Sequence, residues 1–117
     1  MQQFEKLKLN RDFKRLYFKG SSFVSSAFVL YVAKGRKGRV RLGITVTKKL
    51  GTAVKRNRAK RVITAAFREC AGNILSGYDF VIVARTKILD VKSNIVAEHL
   101  AGHLKKAGVW CENERDK

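Results

Sequence analysis

Two hydrophobic periodicities alternate along this chain. Phe13, Leu16 and Tyr17 fall at i, i+3 and i+4, one apolar stripe of a short helix whose other face carries Arg11, Lys14 and Arg15. Asn10 is placed to cap that helix and Gly20 to stop it. Ser21–Ser26 is turn-rich, with room for a brief strand. Phe28–Ala33 is β-branched and aromatic and predicts a strand, with Phe28, Leu30 and Val32 on one face and Val29, Tyr31 and Ala33 on the other. Lys34–Arg39, basic and punctuated by glycine, predicts a hairpin loop. Val40–Thr47 alternates: Val40, Leu42, Ile44 and Val46 inward, Arg41, Gly43, Thr45 and Thr47 outward, the pattern of a half-buried strand with one polar face.

The longest helical pattern follows Gly51, with Thr52 as its expected N-cap and an end near Gly72. At 100° per residue Ala59, Val62, Ile63, Ala66 and Cys70 share one side, while Asn57, Lys60, Arg61, Thr64 and Arg68 lie opposite. Tyr78–Arg85 has no polar face, which predicts a central strand buried on both sides. Asp90 is placed to cap a last helix over Val91–Ala107, with Val96, Leu100, Leu104 and Ala107 as its core stripe. Residues 109–117 read as a flexible tail, with Trp110 able to fold back. Strand, long helix and strand in succession imply a parallel pair inside a mixed sheet. The expected class is α+β, a mixed sheet with helices packed on it, in one domain over residues 1–117.

Composition sharpens this picture. The 117 residues contain 26 Lys and Arg against 9 Asp and Glu, a net charge of +17, yet 45% are hydrophobic. Enough apolar material is present for a core, so a disordered basic tail is excluded. The excess charge repels itself in a compact fold and implies a polyanionic partner, either nucleic acid or an anionic membrane. No apolar run reaches the length of a membrane span, and no signal-peptide core stands at the N-terminus, so a cytoplasmic protein is expected. Cys70 and Cys111 are two cysteines far apart, without metal-ligand spacing, and are expected to be reduced thiols.

The charge is concentrated in Lys48–Arg61, K-K-L-G-T-A-V-K-R-N-R-A-K-R, where seven of fourteen residues are Lys or Arg and none is acidic. Lys55, Arg56 and Arg58 fall in the first turns of the long helix, where cations oppose the macrodipole at about 0.3–1 kcal/mol each when exposed. Arg outnumbers Lys in the R-N-R-A-K-R core, and guanidinium groups suit bidentate contact with phosphate. Phe13, Tyr17 and Tyr31 admit two readings: core residues, or an aromatic platform beside cations on which single-stranded RNA stacks. His99 and His103 stand at i, i+4, as two metal ligands or an acid–base pair would, but no third ligand, carboxylate or nucleophile accompanies them. The ordinary reading is a helix flank near the core. Glycines 35, 38, 43 and 51 form no nucleotide-binding pattern, so no small-molecule substrate is implied.

These segments resemble a known family. K-K-L-G-T-A-V-K-R-N-R-A-K-R before an apolar helix, together with N-R-D-F-K-R-L-Y-F-K-G, F-V-L-Y and D-F-V-I-V-A-R, is similar to the bacterial ribonuclease P protein subunit over roughly Asn10 to Ala107. The resemblance implies an α/β sandwich with a left-handed strand–helix–strand crossover, like the second domain of a small-subunit ribosomal protein. It implies a ribonucleoprotein endonuclease that removes the 5′ leader of precursor tRNA, with the active site and its Mg²⁺ held by the RNA subunit and no ion bound tightly by the protein. By position, Lys48, Lys49, Lys55, Arg56, Asn57, Arg58, Lys60 and Arg61 match the surface that docks on the catalytic RNA. Thr64 stands where the family often has another Arg, and Arg68, one turn on, is placed to substitute. Phe13, Lys14, Tyr17, Val29, Tyr31 and Thr45 match the cleft that receives the leader. The implied partners are ribonuclease P RNA and precursor tRNA, with no membrane. Two rival classes remain: a stand-alone nuclease using His99 and His103, and a ribosomal or DNA-binding protein with the basic helix in a groove.

Overall fold

The run with no polar face, Tyr78–Ala84, becomes the middle strand of a five-stranded sheet. In the computed structural model, which describes residues 4–112, the elements in chain order are β1 (Glu5–Lys6), α1 (Asn10–Lys19), β2 (Ser21–Val24), β3 (Phe28–Lys34), β4 (Val40–Thr45), α2 (Ala53–Cys70), β5 (Tyr78–Ala84) and α3 (Ser93–Lys106). The spatial order is β1-β4-β5-β3-β2. β4 runs parallel to both β1 and β5, while β3 is antiparallel to β5 and β2, so the sheet is mixed as expected. The parallel β4–β5 pair needs a crossover, and α2 supplies it.

The period-2 patterns sort side chains onto two faces. Phe28, Leu30, Val40, Leu42, Phe80 and Ile82 point to one face and join the main core under α2 and α3, with Ile63, Phe67, Leu100 and Leu104. The opposite face is covered by α1: Leu16, Leu7 and Val81 are buried there, with Phe13, Tyr31, Ala33 and Val83 packed around them. The protein is therefore three layers, with α1 alone on one side and the two longer helices on the other. The polar face of β4 turns toward α1, not toward open solvent.

That face contains a charged cluster. Asp79, on β5 directly under α1, is fully buried. Arg41 on β4 donates to both its oxygens, Nε to Oδ1 at 2.8 Å and Nη2 to Oδ2 at 2.6 Å. Arg15 on α1 donates to the same carboxylate and to the backbone oxygen of Lys34 at 2.8 Å. Asp12 completes the set at 3.4 Å from Arg15 and 3.9 Å from Arg41. The hydrogen bonds that Arg41 donates to Asp79 raise the Arg41 pKa above its ordinary value, against the opposing effect of burial. A Cβ at Gly35 would run into the Asp79 carboxylate, so the loop after β3 can approach only with glycine there.

Several expectations need correction. Leu9, not Asn10, is the N-cap of α1, and its carbonyl accepts from Asp12 N–H at 3.0 Å while no side chain caps the helix. Asp90 caps nothing: Thr86–Asp90 winds into a 3₁₀ turn that buries Ile88, Val91 is extended, and α3 starts two residues later. β4 stops at Thr45, and α2 ends at Cys70 before a 3₁₀ turn over Ala71–Asn73. Val62 is only half-buried, and Phe67 takes the larger place in the core stripe. β1 adds a strand at the sheet edge, held by Phe4 against Phe67 at 4.8 Å. Val109 is buried and Trp110 forms a bridge with Ile74, so this part of the expected tail is docked; residues 113–117 lie outside the described residues. Both cysteines are free, and burial, reinforced by Glu69, pushes the Cys70 thiol up to about 12.

Replacing Asp79 by Ala strands two guanidinium groups, one of them only 14% exposed. Loss of one partner of such a buried pair costs about 3–5 kcal/mol. Urea unfolding of Asp79→Ala should show a loss of that order; a loss under about 1 kcal/mol would mean the cluster holds nothing together.

Candidate nucleic-acid interface

Lys48 and Lys49 are exposed on a 3₁₀ turn, Lys48–Leu50, anchored by buried Leu50. Gly51 then adopts φ 123°, a conformation suited to glycine, and turns the chain into α2. Thr52 caps the helix as expected, its side-chain oxygen accepting from Lys55 N–H at 3.4 Å. Lys55, Asn57, Arg58, Lys60, Arg61 and Arg68 are exposed, whereas Arg56 is half-buried with its Nε unpartnered. The half-burial follows from helix geometry, since Arg56 stands three and seven residues before the buried Ala59 and Ile63 and so lies on the core stripe.

None of these cations pairs with an acid among the described residues. The ion pairs that exist engage Arg15, Arg39 and Arg41 instead, on α1, the hairpin loop and β4. Arg68 is partly occupied in another way, with its guanidinium 5.8 Å from the centre of the Phe4 ring. Thr64 is half-buried beside it on the helix. The cationic face of α2 is therefore an uncompensated surface on a rigid, packed helix.

The aromatic residues gather where α1 crosses the end of β4. An open groove is lined by Phe13 and Tyr17 from α1 and by Ile44, Thr45 and Val46, with Lys14 and Lys60 adding the cations. Phe13 sits over Gly43, where a Cβ would come within 2.6 Å of its ring, so the absence of a side chain there sets the ring's position. Tyr17 is 37% exposed and its hydroxyl lies 2.6 Å from Thr45 Oγ1, joining helix to strand. Tyr31 stands behind Tyr17 at a centroid distance of 5.2 Å, edge to face. Val29 pairs in register with Val83 on the same sheet face and does not line the groove. Phe13 and Tyr31 pack on the α1 face of the sheet, Phe13 also lining the groove, and Tyr17 is presented at the surface.

The sequence reading missed Asn10, Ile44 and Val46 as groove-lining residues, because Ile44 and Val46 alternate as core positions and β4 ends between them. It also missed the Asp79 cluster. An acid inside an apolar, doubly buried strand was the available signal, since such a group has to be paired.

His103 belongs to packing. Its ring stacks on Phe23 at 5.9 Å and meets Phe28 edge-on at 5.7 Å, with Nε2 buried and unpartnered. His99 is exposed. Burial, then Lys106 and His99, lower the His103 pKa from its ordinary 6.5. The folded state therefore favours the neutral ring more than the unfolded chain does, and stability from this site is complete above that value and is lost as pH falls below it. His103→Phe should unfold at a urea midpoint that declines less than wild type between about pH 7.5 and 5. Parallel decline in both proteins would contradict this.

An α+β domain with one helix of unpaired cations and an adjoining aromatic groove is the class defined by this fold and site. The family model described as Ribonuclease P matches residues 1–108. The ribonuclease P protein component of Shouchella clausii (strain KSM-K16) is 41% identical over 110 residues, spanning 93% of this chain and 90% of that one. That of Clostridium novyi (strain NT) is 38% identical over 112 residues, spanning 94% and 99%. Among solved structures, Staphylococcus aureus RNase P protein superposes with TM-score 0.78 at 36% identity, over 92% of this chain and 99% of that one. RNase P protein from Thermotoga maritima gives 0.76 at 36% identity, over 87% and 96%. The chain belongs to the ribonuclease P protein family, whose general function is processing of the tRNA 5′ leader.

Proposed function

We infer that this chain is the non-catalytic, RNA-binding subunit of a bacterial ribonuclease P, docking on the catalytic RNA through α2 and holding the 5′ leader of precursor tRNA in the α1–β4 groove. The observation that carries the reading is the meeting of the two surfaces: Lys60 belongs to the cationic helix and also lines the groove. A ribozyme seated on α2 would bring a substrate's single-stranded end beside the aromatic rings.

The physical roles follow from the side chains. Lys48, Lys49, Lys55, Arg58 and Arg61 neutralise backbone phosphates, releasing counterions and relieving the self-repulsion of the +17 chain. Phe13 and Tyr17 offer ring faces for unpaired bases, and Lys14 and Lys60 offer charge to the phosphates between them. The Tyr17 and Thr45 hydroxyls, satisfied by one another at 2.6 Å, are available to a nucleotide's polar edge. Because a mature tRNA lacks the leader, a leader-binding groove favours substrate over product. In this reading the Mg²⁺ of the reaction is held by the RNA subunit. No described helix is long and apolar enough to cross a membrane.

Arg58→Ala and Arg61→Ala should weaken assembly with ribonuclease P RNA in filter binding and reduce the log–log salt slope by about 1 each. Unchanged affinity and slope for the double variant would remove α2 from the interface. Phe13→Ala should leave assembly intact and lower the leader-dependent part of substrate affinity by roughly fivefold or more, the value of one stacked base. If wild-type holoenzyme binds substrates with and without a leader equally, the groove is not the leader site.

A further inference from the structure

Phe18 is 84% exposed, the most exposed of the large apolar side chains among the described residues. It takes no part in either core cluster and makes no aromatic pair among the described residues. Its setting is one-sided. Arg11, Lys14 and Phe18 stand at i, i+3 and i+7 and share the outer face of α1, and all three are exposed. Asp12, the only acid of the helix, is turned away toward Arg15 and Arg41. Among the described residues the face is therefore a phenyl ring beside two cations with no acid paired to them. It is also continuous with the groove, because Lys14 contributes to both.

A ring face flanked by cations is suited to a nucleic-acid base and its phosphates. We propose that Phe18, with Arg11 and Lys14, forms a second stacking platform on the outside of α1, which takes the single-stranded leader nucleotides next beyond those held in the groove. The inference rests on the leader-binding reading given above and extends it: the groove holds one stretch of the leader, and the strand leaving it passes Lys14 to reach Phe18. The platform lies on the sheet face opposite α2 and α3, so it is separate from the surface assigned to the catalytic RNA. Its contribution adds to substrate binding without altering assembly.

The test uses the holoenzyme reconstituted from this protein and a bacterial ribonuclease P RNA, with precursor tRNAs whose leaders grow one nucleotide at a time. Wild type should gain affinity in two stages, once as the groove fills and again as the platform is reached. Phe18→Ala should lose the second stage, roughly fivefold, and keep the first; Phe18→Trp should keep both. Affinity for the RNA subunit should be the same for all three. A Phe18→Ala profile that superposes on wild type, while Phe13→Ala loses its first stage, overturns the platform and leaves the groove standing. Profiles unchanged in both variants overturn the groove reading and the platform with it. If Phe18→Ala changes only the concentration dependence of sedimentation of the free protein, the ring serves contact between copies and the proposal is wrong.

Discussion

Everything that places the groove depends on one buried carboxylate. Asp79 sits in the central strand with no exposure, and the two guanidinium groups that grip it come from β4 and from α1. Ion pairs in a protein interior recover their desolvation cost only when geometry is good and the remaining lone pairs are used, and here both oxygens are engaged. The apolar contact under α1 is small: Leu16, Leu7 and Val81 form a cluster far smaller than the one under α2 and α3. A ten-residue helix with so little to bury needs a directional anchor, and Arg15 provides it. The anchor fixes the rotation of the helix about its axis, which decides that Tyr17 faces β4 and Phe18 faces solvent.

The distribution of charge then divides the molecule. Arg15, Arg39 and Arg41 meet acids on or near the α1 face of the sheet. The cations of α2 meet none among the described residues. A helix that crosses between parallel strands cannot shift without disturbing the sheet, so its cations are held at fixed spacing. That separates this protein from basic tails, which must order themselves as they bind. The surface is preorganised, and its self-repulsion is borne in advance by the core on the opposite side of the same helix.

The larger elements were legible in sequence because each carries a long, clean period. The alternation in β3 and β4 and the stripe of Ala59, Ile63 and Ala66 in α2 are local signals, and the structure follows them. Features made by distant partners were not. Asp79 lies 38 residues from Arg41 and 64 from Arg15, and no window of sequence contains both ends of either pair. β1 has two residues and exists as a strand because β4 offers an edge. Asn10 and Asp90 have suitable side chains, but a cap requires an extended residue at that position, and Leu9 and Lys92 occupy it instead. The groove was half legible: the Phe13–Tyr17 stripe announced an apolar face, whereas its depth and its second wall required β4 to end at Thr45.

Gly43 shows how the wall and the ring fit together. The aromatic ring of Phe13 occupies space that any other amino acid at position 43 would claim for its own first carbon. The groove's floor is thus set by an omission in the neighbouring strand as much as by the ring itself. A protein engineer wishing to make this channel shallower would begin there, since one methyl group at that point displaces an entire benzyl side chain.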